Sequence, residues 1–77
     1  MDKKINTTRR YLKDIGDFKT FNQLIESSTL SDLDKQIVQM HYIEEKNFAL
    51  IGDLLGYSES GIKKRHKRIL SKLSQLL

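Results

Sequence analysis

The stretch Asn47-Phe48-Ala49-Leu50-Ile51-Gly52-Asp53-Leu54-Leu55-Gly56-Tyr57-Ser58-Glu59-Ser60-Gly61-Ile62-Lys63-Lys64-Arg65-His66-Lys67-Arg68-Ile69-Leu70-Ser71-Lys72-Leu73 decides the fold. Asn47 is a good helix N-cap, and Phe48 to Leu55 gives about two helical turns before Gly56 interrupts them. After Tyr57, Ser58 caps a longer helix running from Glu59 towards Leu77. A short helix, a three-residue turn containing glycine and a longer basic helix together form a helix-turn-helix signature.

Projected at about 100° per residue with Ile62 at zero, Ile62, His66, Ile69, Leu70 and Leu73 fall between about −20° and +80°. They form the core face. Ser60, Lys64, Lys67 and Ser71 fall on the opposite side, flanked by Lys63 and Arg68, so that side is short and polar at first and cationic beyond. A helix entering the DNA major groove needs this order: small polar side chains let its first turns approach base edges, and later cations reach phosphates.

Upstream, apolar residues recur three and four apart, which predicts three further helices. The first runs from about Asn6 to Ile15, with Ile5, Leu12 and Ile15 as its apolar side and Gly16 as a left-handed stop. Asp17 caps the second, whose Phe18, Phe21, Leu24 and Ile25 form a core stripe before Ser27-Ser28-Thr29 breaks it. Ser31 and Asp34 resemble a capping box that opens the third. In that helix Leu33, Ile37, Met40 and His41 share one side, with Val38 and Tyr42 beside it, and it ends near Glu44. The expected fold is all-α, four to five helices containing a tetrahelical helix-turn-helix.

The 77 residues suffice for one small core, and 38% hydrophobic with 31% charged residues is a globular composition. No apolar run spans a membrane and none opens the chain as a signal peptide, so a cytoplasmic location is the default expectation. The lack of cysteine excludes disulfides and thiolate chemistry. Charge is segregated. Residues 1–13 carry five Lys/Arg and one Asp, residues 14–59 carry nine Asp/Glu and three Lys, and residues 60–77 carry six Lys/Arg and no acid. An acidic middle with basic ends favours oriented docking on a polyanion.

From Leu30 to Leu73 the chain resembles region 4 of bacterial sigma factors. Asp34, Ile37, Val38 and Tyr42 carry the likeness, then Asn47, Ile51, Leu54-Leu55-Gly56, Ser58, Ile62-Lys63-Lys64-Arg65, Arg68 and Leu70-Ser71-Lys72-Leu73. The LuxR-type DNA-binding domain is similar over the same stretch and ends much like Ile69-Leu70-Ser71-Lys72-Leu73; Tyr42 and Arg65 favour sigma. Both families share a four-helix DNA-binding fold. The resemblance implies a small stand-alone transcriptional regulator that binds double-stranded DNA, without the sigma region that melts promoters. It implies base or groove contacts at Glu59, Ser60, Lys63 and Lys64, and phosphate contacts at Ser58, Arg65, Lys67 and Arg68.

Five positions depart from the family pattern. Glu45 stands where glycine is common, so different turn geometry is expected between the third and fourth helices. Ala49 and Leu50 stand where sigma factors often carry acids. Gly52 replaces an alanine, keeping small a place where two helices must pack closely. His66 takes a usually aliphatic position and reads as a packing histidine.

Residues 1–29 read as a helical extension that packs on the 30–77 domain. Their alternative uses are a homodimer contact through Phe18 and Phe21, or contact of Lys3, Lys4, Arg9 and Arg10 with DNA. Catalysis is not expected, nor any cofactor or metal: His41 with Glu44 or Glu45 lacks further converging ligands. Gly56 and Gly61 have a phosphate-loop separation, but Ile62-Lys63-Lys64 follows where Lys-Ser/Thr belongs. The rival reading is a module that docks on RNA polymerase or another regulator through Leu50 and the acidic middle. Docking of the last helix on a membrane surface ranks last, because Gly56-Tyr57-Ser58 has no purpose there.

Overall fold

A computed structural model describes residues 3–76, with side chains from Ile5 onward. The side chains of Lys3 and Lys4, read above as one option for DNA contact, lie outside the described residues. Five helices follow one another: α1 (Lys3–Asp14), α2 (Phe18–Glu26), α3 (Asp32–Val38), α4 (Phe48–Leu55) and α5 (Glu59–Ser74). A π-helical turn over Gln39–Ile43 prolongs α3. The described residues contain no strand.

Capping residues start four of these helices as their chemistry requires. The Asp17 carboxylate accepts the Lys19 and Thr20 amides, and the hydroxyl of Ser31 accepts that of Asp34. Asn47 Oδ1 accepts the Leu50 amide at 2.8 Å, and Ser58 Oγ the Gly61 amide at 3.0 Å. Only the serine half of the expected Ser31/Asp34 capping box forms, because the Asp34 carboxylate turns towards Arg65 on α5.

Leu12, Phe21, Ile25, Leu30, Ile37, Val38, Ile51, Ile62, Ile69, Leu70 and Leu73 bury in one cluster drawing on all five helices. Each such side chain contributes roughly 1.5–3 kcal/mol of transfer free energy, so α1 and α2 supply a substantial share. Phe18 departs from the expected stripe. It opens α2 at the edge of the core and stays 55% exposed, whereas Phe21 and Ile25 are fully enclosed. A homodimer contact through this stripe is thereby reduced to Phe18, because Phe21 is spent on the chain's own core.

The first helix begins at Lys3, earlier than its apolar pattern suggests, and ends at Asp14. Gly16 is not left-handed, contrary to expectation; among the described glycines only Gly56 is. The chain leaves α1 directly into the extended backbone of Asp17, φ −119 and ψ 119, and needs no reversal at Gly16.

The end of α3 is where periodicity misleads. In the π turn the Glu44 amide reaches back to the Gln39 carbonyl at 3.1 Å, and the Lys46 amide closes on the Met40 carbonyl at 2.9 Å. Between them Glu45 takes φ 58. The position read above as commonly glycine thus takes a left-handed geometry here, carried by a residue that adopts it at a cost of about 1–2 kcal/mol. The widened turn sets His41 against Phe48, ring centroids 4.3 Å apart, and Tyr42 against His66.

Candidate nucleic-acid interface

The turn between α4 and α5 is built on backbone contact. Gly56 holds φ 81 and ψ 30, a left-handed conformation suited to glycine, and the Tyr57 amide donates to the Gly52 carbonyl at 2.8 Å. A methyl group on Gly52 would collide with the Tyr57 carbonyl oxygen and stand 3.3 Å from the Ser58 carbonyl. The expectation of a small residue at this place is thus strengthened: the Tyr57–Ser58 backbone occupies the space an alanine would need.

From this turn α5 projects with Ile62, His66, Ile69, Leu70 and Leu73 buried, the face read from the sequence. Ser58, Glu59, Ser60, Lys63, Lys64, Lys67 and Arg68 are exposed. Lys63 pairs with Glu59 one turn earlier at 3.3 Å, both side chains more than half exposed. Such a surface pair contributes ~0.3–0.5 kcal/mol and yields readily to a phosphate. Among the described residues, Lys64, Lys67 and Arg68 have no acid within ion-pair distance. The outer side of α5 is thus a run of unneutralised cations, which concentrates positive potential.

Arg65 is not brought to that run. Its Nη1 lies 3.6 Å from Asp34 Oδ1, and its guanidinium sits over the Tyr57 ring, 5.0 Å from the centroid. Asp34 Oδ1 is buried and has no hydrogen-bond partner, so the Arg65 charge is what compensates it. A position implied at the phosphates thus ties α5 to α3 and to the turn. The role of Tyr57 in this tie left no sequence signal, since nothing local marks a stacking partner eight residues away.

Behind the interface, His66 is only 7% exposed, and its Nε2 lies 2.6 Å from the Tyr42 hydroxyl. Burial, then the positive fields of His41, Arg9 and Lys13, hold its pKa down to about 4. At neutral pH the ring is uncharged, and it shares one hydrogen bond between Nε2 and the Tyr42 hydroxyl. Burial likewise raises the Tyr42 phenol above its usual range, which keeps it a donor. His66 is a core residue.

The first helix also reaches this face. Ile5 shares one surface groove with Lys64, Lys67, Arg68 and Ser71. Periodicity found the apolar side of α1 but carried no information about which helix would receive it.

The fold and this face define a helix-turn-helix DNA-binding domain. A family model described as "Sigma-70, region 4" matches residues 28–75, and the chain belongs to that family. The match sides with sigma over the LuxR-type alternative and fixes DNA binding in transcription regulation as the function at family level. Region 4 domains are non-catalytic and bind both DNA and RNA polymerase. No curated protein and no solved structure matches the chain. Among the described residues no helix is long and apolar enough to cross a membrane.

Proposed function

We propose that the chain acts as a small stand-alone transcriptional regulator that inserts α5, from Glu59, into the major groove of duplex DNA. Glu59, Ser60, Lys63 and Lys64 meet base edges and the groove walls, while Ser58, Lys67 and Arg68 hold phosphates. Arg65 acts as a positioning residue that braces α5 against Asp34 and Tyr57. In this reading residues 1–29 are an extension that packs on the 30–77 domain and completes its core.

One observation carries the proposal: the exposed, unpaired cations Lys64, Lys67 and Arg68 lie on the helix that follows a glycine-and-serine turn packed backbone-to-backbone on Gly52. Fluorescence anisotropy of labelled duplex DNA, at low and moderate salt, followed by selection from a random pool at the higher salt, tests it. Binding that weakens steeply with salt and still enriches a motif is expected. Absence of binding at low salt would overturn it.

A second reading is favoured by Leu50 and Leu54, which leave 42% and 55% of their surface exposed on α4. They form an apolar face on α4 for RNA polymerase. Leu50→Glu would then abolish polymerase capture and spare DNA binding; the reverse pattern would exclude this use of α4.

A further inference from the structure

We infer that α1 is a second DNA-contacting element, a cationic rail that follows the sugar-phosphate backbone beside the groove occupied by α5. This rests on the DNA-docking reading above and extends its footprint to a helix outside the family match, which begins at residue 28.

The helix is divided by its own periodicity. Ile5, Thr8, Leu12 and Ile15 turn inward, with Thr8 and Leu12 buried and Ile5 and Ile15 packed against the core. Asn6, Arg9, Arg10 and Lys13 recur at intervals of three and four on the other side, are exposed, and line one shallow depression. Among the described residues none of the three cations has an acid within ion-pair distance, although Asp14 follows Arg10 by four positions. Arg9 and Lys13 stand four apart with like charge, an arrangement that destabilises a free helix. The first turn of α1 has no acid to favour its positive end. Lys13 favours the negative end of the helix, but Arg9 and Arg10 bring the helix no such gain, and they suit an anion outside it.

Position identifies the anion. The groove shared by Ile5 with Lys64, Lys67, Arg68 and Ser71 sets the start of α1 beside the outer side of α5, and Asn6, the next residue, lines the depression that holds Arg9, Arg10 and Lys13. A duplex seated on α5 brings its phosphate rim to α1. At a rise of about 1.5 Å per residue, Asn6 to Lys13 spans roughly 10 Å. One strand of duplex DNA presents about one phosphate per 3.4 Å of axis, hence about three along that length.

The test measures the salt dependence of binding to the selected duplex for the full chain and for R10Q, R9Q/R10Q and K19Q, the last an exposed cation on α2. Each lost phosphate contact lowers the slope of log K against log salt by about 0.9. R10Q should lower it by about 0.9 and R9Q/R10Q by about 1.8, with the preference for the selected sequence over a scrambled one retained and K19Q without effect. An unchanged slope in R9Q/R10Q would overturn the inference, as would an equal fall in K19Q. Tighter binding by R9Q/R10Q would also overturn it and make α1 a cover over α5. Failure of the unaltered chain to bind overturns this inference and the α5 reading together. Binding that ignores Lys64→Ala but follows R9Q/R10Q overturns the α5 reading alone.

Discussion

The hydroxyl of Tyr42 lies 2.6 Å from Nε2 of His66, and this bond joins the widened end of α3 to the middle of α5 beneath the cationic face. It is the polar centre of a cluster containing Phe21, His41 and Phe48.

The cluster gives the fold a defined response to pH. The pKa of His66 falls from 6.5 in the unfolded chain to about 4 in the fold. Unfolding then takes up a proton between these values, so the contribution is fully present above pH 6.5 and is lost as pH falls towards 4. The loss is on the order of 3 kcal/mol. Urea denaturation of the wild type and of His66→Leu across pH 4 to 7 should show a steeper decline in the wild type. Parallel curves would exclude His66 as the source.

Replacing Gly52 by alanine should destabilise the domain by about 1–3 kcal/mol, since the new methyl group must displace backbone and not a flexible side chain. The same variant should lose affinity for every duplex, because a shifted turn changes the angle at which α5 leaves it. A melting temperature equal to that of the wild type would show that the turn can relax.

Glu45 supplies the opposite case. With φ at 58 it bears a left-handed strain that glycine avoids. Glu45→Gly should stabilise the fold by about 0.5–1 kcal/mol, the extra freedom of glycine in the unfolded chain offsetting part of the relief. Thermal denaturation reads this directly, and a fall in stability would assign a compensating contact to the glutamate.

Arg65 and Lys67 should separate in experiment. Lys67→Ala should weaken binding to all duplexes and lower the salt slope by about 0.9 without affecting stability. Arg65→Gln should destabilise by about 1–3 kcal/mol, because it leaves the buried Asp34 oxygen uncompensated. If Arg65→Gln melts like the wild type and changes only the salt slope, its guanidinium belongs to the phosphates after all.

Features written in local chemistry were legible beforehand. Asp17, Ser31, Asn47 and Ser58 cap as read, Gly56 stops α4, and the buried face of α5 is the one its spacing projects. Features that depend on distant partners were not. The π turn at Gln39–Ile43 accompanies the packing of Tyr42 on His66, twenty-four positions later, and a period of 3.6 residues has no place for it. Asp34 reads as a capping residue until Arg65, thirty-one positions later, draws its carboxylate away. Phe18 has the spacing of a core residue and fails only because α2 begins at the core's edge. In the candidate interface, residue types and helix were legible; the diversion of Arg65 and the approach of Ile5 required three dimensions.

The packing of α1 on α5 has a consequence for how the molecule breathes. Two helices of the same charge are held together by a narrow apolar seam, Ile5, Thr8 and Leu12 against the larger helix and the core. Burial closes that seam while repulsion across it pushes the other way, and dissolved ions weaken only the second. Amide hydrogens of α1 should therefore exchange sooner than those of α5, and their protection should grow as ionic strength rises. The helix held against this repulsion is then one that lies beside the place where a polyanion would arrive, and such an arrival would fasten it.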